Sequence, residues 1–135
     1  DNNQDTLQSV PHLIARRQRH ALRRPRHFEG EEEDERCLTW HGFKVNQPDW
    51  SDASRSLAMH LQGRADEAEI YLISHAETAA ANFALPTPNE QRPWRRFIDT
   101  AEVKGERSCS PGGEPEITDQ ENYHVLGRSV VVLVR

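Results

Sequence analysis

The chain has 135 residues, 17 Lys and Arg against 22 Asp and Glu, a formal net charge of −5 and a mean hydropathy of −0.87. That is one ordinary domain's worth of chain, long enough for a real core. No apolar run approaches the roughly 20 residues a membrane helix needs, no secretory leader is recognisable at the start, and the two cysteines, Cys37 and Cys109, are too few and too far apart for a disulfide scaffold or a Cys-x-x-Cys motif.

The first predicted element is a helix. Ser9 is the expected N-cap and Pro11 falls in the first turn. Leu13, Ile14, Arg17 and Ala21 form a narrow stripe, with Val10 just ahead, and Pro25 ends the element. So thin a stripe suits a helix packed on a large partner better than a free-standing one. Residues 1–28 carry a net +4, and the solvated loop Glu29–Glu35 at once offsets them with six acids. The two segments cancel at long range, which argues against a dedicated polyanion binder and for no nucleic-acid partner.

From Cys37 the period changes. Cys37–Trp40 is a short strand, followed by a long loop from His41 to Arg55. Leu57, Met59 and Leu61 then alternate with Ala58 and His60 as a half-buried strand. Gly63–Glu67 is a turn. Ile70–Ile73 is apolar on both faces and reads as a central strand. Asn82–Leu85, Trp94–Asp99, Tyr123–Val125 and Ser129–Val134 complete the set, and the Gly- and Pro-rich stretch 104–122 is a loop. The predicted architecture is mainly β: an antiparallel β-sandwich preceded by one N-terminal helix.

Little in this pattern carries chemistry. There is no phosphate-cradling glycine motif and no nucleophile elbow. The seven histidines include no H-x-x-x-H pair; His60 and His75 lie in neighbouring predicted strands and could face each other, but the sequence indicates no third ligand to complete a metal site. Asp49, Asp52 and Asp99 are the carboxylates one would try as a glycosidase pair, but solvated acids are the default. Neither a cofactor nor a metal is expected. The tryptophans are the most informative side chains, because an indole stacks on the apolar face of a sugar as readily as it fills a core or seam. Trp40 and Trp94 sit in strands and are expected in the core or a seam. Trp50 lies in the loop Pro48-Asp49-Trp50-Ser51-Asp52 and is the candidate for substrate binding.

Four blocks, in order, carry a resemblance. They are Leu13-Ile14-Ala15-Arg16-Arg17 with Phe28 and Gly30; Leu38-Thr39-Trp40-His41-Gly42 with Pro48-Asp49-Trp50-Ser51 and Ser54-Arg55-Ser56-Leu57-Ala58; Trp94 to Ala101; and Tyr123 to Leu133. Together they resemble bacterial glycogen debranching enzymes of the isoamylase type, in the α-amylase superfamily. The resemblance implies a division of the chain: 1–28 as the last helix of a preceding catalytic barrel with its linker, 29–36 as an acidic loop, and 37–135 as an α-amylase-type C-terminal β-domain. It also implies a cytoplasmic parent enzyme that hydrolyses α-1,6 branch linkages in glycogen or limit dextrin. The family's catalytic Asp and Glu residues lie upstream on the barrel, so no catalytic residue is assigned here. The implied partners are the catalytic (β/α)8 barrel of the same chain and an α-glucan. An autonomous carbohydrate-binding module is the alternative.

Overall fold

A computed structural model describes residues 3–19, 37–62, 68–87, 90–102 and 108–135. One helix, α1 (Asn3–Arg19), precedes seven strands: β1 (Cys37–His41), β2 (Ser56–Gln62), β3 (Ile70–His75), β4 (Ala81–Ala84), β5 (Arg95–Asp99), β6 (Asn122–Val125) and β7 (Ser129–Val134). All the strand pairings are antiparallel. Five strands form one sheet in the order β1-β2-β3-β7-β5, and β4 pairs with β6 in a second. The predicted sandwich is therefore observed, with Ile70–His75 central as its two-sided hydrophobicity requires.

The core lies between the sheets. Ala58, Tyr71, Ile73, Val131 and Leu133 project from the large sheet against Phe83 and Val125 of the small one, with Trp94 and Leu85 filling the space between them. Trp94 is fully buried, as its strand context leads one to expect. Two connections are too tight for a side chain. A Cβ on Gly127 would sit 2.1 Å from the Thr78 carbonyl oxygen, and one on Gly42 would sit 2.3 Å from that of Gln47.

Three expectations need correction. Helix α1 begins at Asn3, not behind Ser9, so Pro11 lies inside it. Within β2 the inward residues are Ser56, Ala58 and His60, while Leu57 and Met59 are only half-buried on the other face. His60 and His75 do not face each other: His60 is opposite Tyr71, and His75 is opposite Ser56. The acidic loop 29–35, the Pro25 helix stop and the turn 63–67 fall outside the described residues.

Gly127→Ala is expected to destabilise the domain by about 1–3 kcal/mol, because the neighbour that must move is backbone. Gly113→Ala, whose nearest neighbour is the Ser110 hydroxyl at 3.2 Å, should cost less. Urea unfolding of the two variants checks the order.

Candidate functional site

Three histidines point into the sandwich, and each is held by named partners. The Asn46 backbone N–H donates to His41 Nδ1 at 2.8 Å. That leaves the proton of the neutral ring on Nε2, which lies 2.8 Å from Thr39 Oγ1. Burial, and then the neighbouring His60, hold the His41 pKa below its ordinary value. His75 Nε2 donates to the Ala79 carbonyl at 2.7 Å, so Nδ1 accepts from Ser56 Oγ at 2.7 Å. A base whose second nitrogen is tied to a carbonyl deep in a sheet is a structural element, not an activated Ser–His pair.

His60 belongs to a larger cluster. Its Nε2 donates to Glu69 Oε2 at 2.9 Å, and its ring meets Trp94 at 5.7 Å and Tyr71 at 5.8 Å. Arg135 donates to the same Glu69 oxygen from Nε at 3.0 Å, lays its guanidinium 4.3 Å over Trp94 and reaches the Thr87 carbonyl. The hydrogen bond from His60, with the Arg135 charge adding to it against a desolvation cost, pulls the Glu69 pKa down to about 2. This cluster fastens β2, β3 and the end of β7 to the Trp94 segment.

The carboxylate candidates are dispersed. Asp99 is buried and accepts from Tyr123 Oη at 2.8 Å and from the Ala101 N–H at 3.0 Å. Asp49 and Asp52 are exposed in the β1–β2 loop, and Asp49 caps the Ser51 N–H at 2.9 Å. Since β1 and β5 are opposite edges of the large sheet, Asp49 and Asp99 are not brought together as a pair. Among the described residues no group of three His, Cys, Asp or Glu could hold a metal ion.

The notable surface is the outer face of the large sheet. The registers place Trp40 beside Met59, Met59 beside Leu72, Leu72 beside Val132 and Val132 beside Ile98. One apolar row thus crosses all five strands, and every member of it is only half-buried or exposed. At its β1 end, Trp50 of the β1–β2 loop packs edge-to-face on Trp40, with centroids 5.7 Å apart and planes at 74°. Trp50 is 64 % exposed and Trp40 40 %. Trp40 is therefore a surface residue, not a core one.

At the β5 end lies α1. Its Arg16 pairs with Glu114 and spreads 4.8 Å over the Phe97 ring. His12 Nδ1 lies 3.1 Å from Ser108 Oγ, which donates to Ser9 Oγ at 3.2 Å. Residues 9, 12 and 16 share one side of a 3.6-residue helix. Leu7 and Ile14 lie on the opposite side, with Val10 and Leu13 flanking the polar side, and all four are 43–70 % exposed. Ser9, His12 and Arg16 thus fasten α1 to the β-domain, while these four apolar side chains stay exposed among the described residues.

Comparison with known proteins agrees with this architecture. The family described as "Isoamylase, C-terminal" matches residues 34–134. The chain belongs to that family, and is an isoamylase-type C-terminal domain. Over 94 residues, 69 % of this chain, it is 30 % identical to the Arabidopsis thaliana protein "Isoamylase 1, chloroplastic". The matched stretch is 12 % of that relative's length. Helix α1 precedes the family match.

The buried cluster sets the pH dependence. A depressed pKa contributes stability above the unfolded value, and that contribution is lost as pH falls toward the folded value. Stability should therefore decline as pH drops below 6.5, the ordinary value of His41, and again between 4.5 and about 2 as Glu69 takes up its proton. Glu69→Gln should cost about 3 kcal/mol at neutral pH by leaving Arg135 and His60 without their charged partner. It should also make the lower stage shallower. Thermal unfolding followed from pH 8 to pH 2 reads both effects.

Proposed function

We propose that this chain is the non-catalytic C-terminal β-domain of a debranching glycosidase that hydrolyses α-1,6-glucosidic linkages in glycogen or related branched glucans, and that it acts by docking on and stabilising the enzyme's catalytic (β/α)8 barrel. The parent's reaction would need two carboxylates across a cleft. Asp49 and Asp99 lie at opposite edges of the large sheet, and in the reading proposed here the reacting carboxylates belong to the barrel.

One observation supports the reading: α1 is fastened to the β-domain by polar side chains while its apolar side chains stay exposed. Its Arg16, His12 and Ser9 bond to the β-domain, whereas Leu7, Val10, Leu13 and Ile14 are 43–70 % exposed. A helix of this length is marginal by itself. Packed between two bodies, it would bury its apolar stripe, and each Leu or Ile so covered contributes about 1.5–3 kcal/mol. Val132 and Ile98, half-buried beside α1 on the same side of the sheet, extend the surface such a contact would cover. The family assignment supplies the occupant, a catalytic domain of the same polypeptide.

The test uses the complete debranching enzyme that carries this chain. Leu13→Glu or Ile14→Glu should lower the melting temperature of the whole enzyme by several degrees and expose the α1 region to protease. The same changes in the isolated 135-residue chain should shift stability by no more than about 0.5 kcal/mol, the usual effect at an exposed site. Unchanged stability of the full enzyme would sink the docking role.

A further inference from the structure

We propose that the Trp40–Trp50 pair at the β1 edge of the outer face is a stacking platform for an α-glucan chain, a carbohydrate contact outside the catalytic centre. The choice of an α-glucan rests on the proposed function; the platform itself rests on geometry.

In an edge-to-face pair at most one face of one ring is covered by the other, so each indole keeps at least one face clear of its partner. With Trp50 64 % exposed, a large flat apolar surface faces water at the tip of a loop. Such a surface suits the C–H face of a pyranose. The loop is held from several sides. Asp49 Oδ1 accepts from the Ser51 N–H at 2.9 Å, Ser54 N–H donates to the Ser51 carbonyl at 3.0 Å, and the Asn46 N–H is fixed by His41 at 2.8 Å. Gly42 lies against the Gln47 carbonyl where no side chain would fit. The indole is positioned before any ligand arrives, so binding costs little ordering entropy.

The surroundings select among ligands. Asp49, Ser51 and Asp52 beside Trp50 in sequence are all exposed, and supply carboxylate and hydroxyl groups to meet sugar hydroxyls. Their negative charge disfavours a phosphate backbone. An apolar partner would leave these carboxylates without water. The platform also stands clear of α1. The helix contacts β5, and β5 and β1 are the two edges of a five-stranded sheet, about 19 Å apart at the usual strand spacing. Docking through α1 therefore leaves the platform reachable.

Maltoheptaose is titrated into the 135-residue chain, with cellohexaose in parallel, and binding is read by tryptophan fluorescence and calorimetry. The expected result is a saturable signal for maltoheptaose with Kd near the millimolar range, weakened roughly tenfold or more in Trp50→Ala. Trp50→Phe should keep part of it, and the melting temperature should be unchanged in both variants. No saturable signal, equal binding of cellohexaose, or full binding by Trp50→Ala would each overturn the proposal. So would a loss of stability in the full enzyme on Trp50→Ala matching that of Leu13→Glu, since the indoles would then lie under the catalytic domain. If glucan binding fails while Leu13→Glu still loosens the enzyme, the platform falls and the docking role stands.

Discussion

A sheet with two apolar faces needs two partners, and this constraint organises the molecule. The inward face of the five-stranded sheet has its partner in the two-stranded β4–β6 sheet and in Trp94. The outward face carries an unbroken apolar row from Trp40 to Ile98, and nothing among the described residues covers it fully. Part of it is closed where Leu61, Ile70, Phe97 and Val134 cluster, with Arg16 lying over Phe97. Antiparallel sheets usually turn one polar face to water. This sheet departs from that rule across its whole width, from Trp40 to Ile98.

The inward face has its own departure, because it is not purely hydrophobic. His41, His60 and His75 all point into the sandwich, and each is tied to a partner from a neighbouring loop or strand: Asn46, Glu69 and Ala79. Buried polar groups are costly when unpaired and directional when paired. These three bonds connect strands to the loops beside them, so they fix the course of loops that hydrophobic burial alone would leave loose. The β1–β2 loop that bears Trp50 is one of them.

Much of the fold could be read from the chain. β7 was bounded correctly because its valines stand apart from the turn residues Gly127 and Arg128, and Arg128 does adopt a positive φ. Ser9 and Pro11 imitate a cap and first turn, yet α1 starts at Asn3 and carries Pro11 inside it, at the cost of one hydrogen bond and a crowded carbonyl. In β2 the Ser56, Ala58 and His60 side enters the sandwich, and of the Leu57, Met59 and Leu61 side only Leu61 is buried. His60 looks polar and Met59 apolar, yet the carboxylate that satisfies His60 comes from Glu69, outside the strand. Local pattern cannot show that pairing, nor the grip of Arg135 on Trp94 from 41 positions away. Trp50 was legible as a surface candidate because its loop is full of turn residues. Its edge-to-face contact with Trp40 needed the register of β1.

The strand order also bears on synthesis. β7 is inserted between β3 and β5, which both precede it in the chain. As the polypeptide leaves the ribosome, the nascent sheet therefore has a gap at its middle until residues 129–134 have emerged. Through that interval β3 and β5 present open backbone edges, the form most vulnerable to pairing with the wrong chain. Closure by a late central strand makes folding depend on distant contacts and slows it, so the edges of β3 and β5 need shielding until β7 is in place.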